Sequence, residues 1–105
     1  MVDRRRRVVW SDAALRALEE AAAYVAADAP DAARSLVERV LTAADSLQLL
    51  ATRGRTVPEL SKPFLRELLV RPFRLIYQVQ GAEVQILALL HQARDFDRWR
   101  DSVEK

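Results

Sequence analysis

Arginine dominates the chemistry open to this chain. Residues 68–79 read LLVRPFRLIYQV, two apolar runs joined by a turn that carries Arg71 and Arg74 around Pro72 and Phe73. A guanidinium offers five donors in a planar fork that fits phosphate or carboxylate, and arginine is seldom fully buried. The two therefore read either as solvated hairpin residues or as the edge of an anion-binding site. Farther on, His91 and Arg94 follow a second apolar run. A histidine there is first a hydrogen-bonded structural residue and second an acid or base, while Arg94 can pair with Asp95 or Asp97 on the surface.

Little else could carry a reaction. The sequence contains no Gly-rich phosphate loop, no histidine pair at metal spacing and no serine or cysteine nucleophile arrangement. It has no cysteine and one histidine, so thiolate and multi-histidine metal sites are out of reach of one chain, and no metal or cofactor is expected. Chemistry would have to come from arginine, glutamate, tyrosine or His91.

The charge is unevenly placed. The net charge is +2, yet residues 53–74 carry six basic and two acidic groups, while residues 8–52 carry three basic and seven acidic. With the RRRR run at residues 4–7, this gives a basic arm and a basic loop and hairpin around an acidic middle. A polyanion or an acidic protein would be drawn to the basic parts.

The elements that must position these residues follow from periodicity. A chain of 105 residues, 50% hydrophobic and 30% charged, is expected to fold as one domain over 1–105. Residues 4–10 read as a strand ending in Val8, Val9 and Trp10, and Ser11 is a good N-cap for a helix over 12–28. Leu15, Leu18, Ala22 and Val25 form its expected apolar stripe. Pro30 ends that helix and opens a second over 31–51, with Ala33, Leu36, Val37, Val40, Leu41, Ala44, Leu47 and Ala51 as its stripe. So short a link predicts an antiparallel helical hairpin. Gly54 stands where a left-handed helix cap is common, and residues 55–64 read as a loop.

Strands are expected over 65–71, 73–80 and 83–91. Leu75, Tyr77 and Val79 should face one side, with Arg74, Ile76 and Gln78 on the other. In the last strand Val84, Ile86, Ala88 and Leu90 should oppose Gln85, Leu87, Leu89 and His91, which calls for cover on both faces. One hairpin covers one face, so Phe96 and Trp99 in the tail, or a partner chain, must shield the other. The expected fold is α+β: an N-terminal strand, an antiparallel helical hairpin on a mainly antiparallel sheet in the order β-α-α-β-β-β, and a short C-terminal tail or helix. The longest apolar run, residues 21–27, is far short of a membrane span, and the N-terminus lacks a secretion signal's apolar core, so a soluble cytoplasmic protein is expected.

Together these elements resemble the RelE/ParE superfamily of toxins from type II toxin–antitoxin pairs. The residues that carry the resemblance are Gly54-Arg55, Val57-Pro58-Glu59, Arg66-Glu67-Leu68, the run Pro72 to Val79, and Ile86 to Asp95. The resemblance implies a growth-arresting toxin silenced by a cognate antitoxin, as a homodimer or a toxin–antitoxin hetero-oligomer. The ParE-like branch inhibits DNA gyrase; the RelE-like branch is a metal-independent nuclease that cuts mRNA on the ribosome. For the nuclease, the resemblance implies catalytic roles for Arg74, Arg94 and His91, with Arg66 in place of a strand lysine. Leu68 stands where a second basic residue would be expected, and residues 95–101 hold no tyrosine. The long hairpin and the LLHQ end look more like the ParE branch, which is the expectation; the nuclease is its alternative. Arg66, Arg71, Phe73, Phe96 and Trp99 are the expected contacts to target or antitoxin. A non-toxic nucleic-acid-binding or scaffold domain is a third reading, for which the basic arm and hairpin would suffice.

Overall fold

The computed structural model describes residues 5–104, so Arg4 of the basic arm lies outside the described residues. Strand β1 (Arg7–Trp10) leads into helix α1 (Asp12–Ala26), then α2 (Pro30–Asp45) and a 3-10 turn at Ser46–Gln48. A two-residue strand β2 (Arg55–Thr56) follows within the expected loop, then β3 (Leu65–Val70), β4 (Phe73–Gln80), β5 (Glu83–His91) and helix α3 (Phe96–Val103). The sheet order is β1-β5-β4-β3-β2, with β1 parallel to β5 and every other pair antiparallel. The α+β architecture read from the sequence is the one observed. No helix among the described residues is long and apolar enough to cross a membrane.

Ser11 begins the fold as expected and also does more. Its hydroxyl accepts from the Ala14 amide at 3.0 Å, capping α1, and donates to the Leu87 carbonyl at 3.1 Å. Pro30 sits in the first turn of α2, where its missing N–H costs no helical bond. The α1 stripe is rotated from the expected one: Ala14, Leu18 and Ala21 are buried, while Leu15 is 43% exposed. Ala14 and Ala21, with Leu18, form the face that turns inward. On α2, Ala33, Leu36, Val40 and Ala44 are buried as expected, but Leu41 is exposed.

Two apolar layers flank the sheet. On the hairpin side, Leu18, Leu36, Val40 and Leu47 meet Leu75, Tyr77, Val84 and Ile86. On the outer side, Val57, Leu65, Ile76, Ala88 and Leu90 meet Phe96, with Trp99 packed against them. The tail thus forms the cover that the second face required.

Strand β5 departs from simple alternation. Ile76 pairs with Ala88 and Tyr77 with Ile86, so Leu87 is an extra residue without an opposite partner. A bulge shifts the side-chain period by one. Val84 and Ile86 therefore face the hairpin, whereas Ala88 and Leu90 face α3, and the single face expected for these four residues is corrected. The Leu87 carbonyl at the bulge is the one that Ser11 satisfies.

Candidate functional site

The outer layer encloses a charged cluster. Alternation along β3 puts Leu65, Glu67 and Leu69 on the face that Arg74 and Ile76 share on β4. Both terminal nitrogens of Arg74 donate to the Glu59 carboxylate, at 2.8 and 2.7 Å, and one also donates to Glu67 at 3.1 Å. Arg55 Nε donates to the other Glu67 oxygen at 2.6 Å. The guanidinium lies 4.0 Å from the centroid of the Phe96 ring, a cation–π contact that also shuts out water.

Arg74 is 7% exposed and Glu67 1%, so neither is a solvated residue. Two arginines meet two glutamates, and this balance is what makes burial of a guanidinium tolerable. The hydrogen bonds from Arg74 hold the Glu59 carboxyl below its ordinary range, and the same bonds raise Arg74 further. Arg74 Nε is buried without a partner. Both terminal nitrogens are engaged, and a phosphate could reach them only by displacing Glu59 or Glu67. The reading of Arg74 as a solvated or open working contact is corrected: Glu59 lies in a loop 15 residues away. Glu67 could have been found, because strand alternation alone puts it on the Arg74 face.

His91 and Arg94 belong to the other side. They border a groove of about 600 Å³ between α1 and the end of β5, floored by Ala21, Leu36, Phe73 and Leu89. His91 meets Phe73 edge-on at 5.5 Å, and its Nδ1 accepts from the Ala93 amide at 3.3 Å. Arg94 donates twice to Asp95, at 3.1 and 3.3 Å. Those bonds, with the His91 amide, keep the Asp95 carboxyl below its usual range against the opposing effect of partial burial. The sheet thus separates Arg74 from Arg94, and the three residues for which the resemblance implies catalytic roles do not converge. His91 and Arg94 do share a groove.

The remaining expected contacts divide. Arg66 donates to the Gly54 carbonyl at 2.7 Å and more distantly to Thr52 at 3.4 Å. Arg71 is exposed in the β3–β4 turn, and its carbonyl accepts from Arg39 at 3.1 Å. Phe73 and Phe96 are buried in the chain's own two layers, whereas Trp99 is half-buried beside Phe96. The aromatic rings build the surfaces more than they project from them.

Gly54 has a role that turn chemistry does not anticipate. Its φ is not positive; the only positive φ among the described residues is at Gly81. A β-carbon at Gly54 would stand 2.6 Å from the Tyr77 hydroxyl and 2.7 Å from the Glu67 carbonyl oxygen. The Tyr77 hydroxyl donates to the Ala51 carbonyl at 2.8 Å and accepts from the Gly54 amide at 2.9 Å. Tyr77 is thus the satisfied core residue expected of it, and burial raises its phenol. Among the described residues no group of three or more His, Asp or Glu could hold a metal ion.

Comparisons with known proteins agree with this architecture. Residues 8–96 match the family model described as ParE toxin of type II toxin-antitoxin system, parDE. The Y4kP protein of Sinorhizobium fredii is 38% identical over 89 residues, covering 83% of this chain and 88% of that protein. Toxin RelE2 of Caulobacter vibrioides is 38% identical over 89 residues, covering 84% of this chain and 97% of that protein. A solved chain of the chromosomal ParDE TA system from P. aeruginosa superposes with a TM-score of 0.70 at 27% identity, covering 82% of this chain and 95% of that one. The chain belongs to the ParE toxin family of type II toxin–antitoxin systems, within the RelE/ParE superfamily.

Proposed function

We propose that the chain arrests growth when free of a cognate antitoxin, and that it does so as a non-catalytic, ParE-like inhibitor of DNA gyrase. The state of Arg74 carries this reading. Cleavage of RNA without a metal needs cations open to the scissile phosphate and an acid or base within reach of the same atoms. Here the fork of Arg74 is taken by Glu59 and Glu67, Phe96 covers it, and Arg94 lies across the sheet with Asp95. A protein that acts by docking needs no such convergence.

The antitoxin partner follows from the family and from the named neighbour, a toxin–antitoxin system. With gyrase as target, the site of action is the cytoplasm. Growth after brief induction, with and without the product of the adjacent gene, tests the toxin reading. Supercoiling by purified gyrase at stoichiometric protein tests the target. Arrest relieved by co-expression, together with lost supercoiling, is the expected result; unaffected supercoiling would sink the gyrase assignment.

A ribosome-dependent nuclease is the second reading, favoured by the shared groove of His91 and Arg94 and by the relative named Toxin RelE2. In it, His91 would move the proton and Arg94 would have to leave Asp95 to meet the phosphate.

A further inference from the structure

We propose that a second groove, between α2 and β3, binds the sugar–phosphate backbone of duplex DNA through Arg39, Arg53 and Arg71. This shallow trough of about 460 Å³ lies apart from the buried Arg74 cluster, and only Arg39 also borders the His91 groove. Ser35, Arg39 and Thr42 on α2 and Ser46 at its C-cap recur every three or four residues, which turns them toward one side. Arg53, and Arg71 in the β3–β4 turn, complete the basic lining.

The charge state of this trough suits an anion, although Arg5, Arg6 and Arg66 elsewhere also donate only to neutral oxygens. Arg7, Arg34, Arg55, Arg94, Arg98 and Arg100 each pair with a carboxylate. Arg39 and Arg53 instead donate one bond each to neutral oxygens, the Arg71 carbonyl at 3.1 Å and the Ser46 hydroxyl at 2.9 Å. Each keeps most of its fork open. Arg71 has no side-chain hydrogen bond or ion pair among the described residues, and Glu38 is the lone carboxylate of the lining. Three arginines with hydroxyls between them fit a row of phosphate oxygens, since such groups make the bulk of backbone contacts to DNA.

Duplex is favoured over single strands because the lining contains no aromatic side chain. Proteins that hold single strands stack bases on aromatic rings, whereas a duplex held by its backbone needs only donors and positive charge. None of its residues takes part in the buried Arg74 cluster, so its variants leave that cluster intact.

Fluorescence anisotropy with the purified full chain and a labelled random-sequence duplex tests this, with a single strand of equal length as competitor. Binding at about 50 mM salt is expected, with a log–log salt slope of about −2.7 for three neutralised phosphates. Arg39→Gln, Arg53→Gln and Arg71→Gln combined should weaken binding by about tenfold or more. Arg71→Gln alone, which removes no contact within the fold, should make the slope shallower by about 1. Glu38→Gln should tighten binding, and Arg16→Gln, outside the trough, should leave it unchanged. Absent binding at low salt, a triple variant that binds like the parent, or preference for the single strand would each overturn the proposal.

Discussion

The guanidinium of Arg74 lies over Phe96, 4.0 Å from the ring centroid, and ties α3 to the outer face of the sheet while two carboxylates hold its terminal nitrogens. One residue thereby links three separate pieces of chain: the loop at Glu59, strand β3 at Glu67, and α3. The position that most resembles a working arginine is a structural one.

That role predicts a stability effect. Arg74→Ala leaves Glu67 enclosed with Arg55 alone, and removing one member of a buried ion pair costs about 3–5 kcal/mol. Arg74→Lys should recover little, because an ammonium can neither span both carboxylates nor stack on the ring. Combining Arg74→Met with Glu67→Met should cost clearly less than the sum of the single changes. Urea denaturation monitored by circular dichroism measures all of them, and a loss under about 1 kcal/mol for Arg74→Ala would fit a solvated residue instead.

Gly54 and Tyr77 form a second predicted pair. Tyr77→Phe strands the Gly54 amide and the Ala51 carbonyl, at about 1–3 kcal/mol for each group left without a partner. Gly54→Ala forces a β-carbon against the Tyr77 hydroxyl and the Glu67 carbonyl, an overpacking that costs about 1–3 kcal/mol. Tyr77→Phe should not rescue Gly54→Ala, because the Glu67 backbone oxygen remains in place. Thermal melts of the two variants and their combination provide the check.

Acid should unfold the protein in a way that traces to named pairs. Glu59 and Asp95 have carboxyls held below their ordinary values of 4.5 and 3.8 by Arg74 and Arg94 respectively. For such groups the stabilisation is complete above the ordinary value and is lost as pH falls through the lowered one. Stability measured from neutral pH downward should therefore be flat until about pH 4.5 and fall below it. Glu59→Gln should lower the plateau and flatten part of that fall; an unchanged acid limb would show that the pair contributes nothing.

Much of this molecule was legible because its signals are local. Ser11 and Pro30 punctuate the chain within a few residues, and Phe96 with Trp99 mark a tail able to cover a bare sheet face. Apart from the rotated stripe of α1 and the exposed Leu41, the failures are contacts distant in sequence. Nothing near Leu87 announces a bulge, whose carbonyl finds its partner at Ser11, 76 residues earlier. Gly54 looked like a helix terminator, yet its lack of a side chain serves Tyr77 on a strand 23 residues later. Of the candidate site, Arg74 reads from sequence as a solvated residue or an open anion contact, because its partner Glu59 sits in an aperiodic loop. A buried charge can be read from sequence only when its counter-charge shares a recognisable face, as Glu67 does.

The claim that the chain acts by docking and not by cutting is tested most directly by mapping message ends in a purified translation system. A docking inhibitor leaves ribosome-bound message intact at protein levels that abolish gyrase supercoiling, with no change from His91→Ala or Arg94→Ala. New message ends that depend on the ribosome and vanish with either substitution would contradict it.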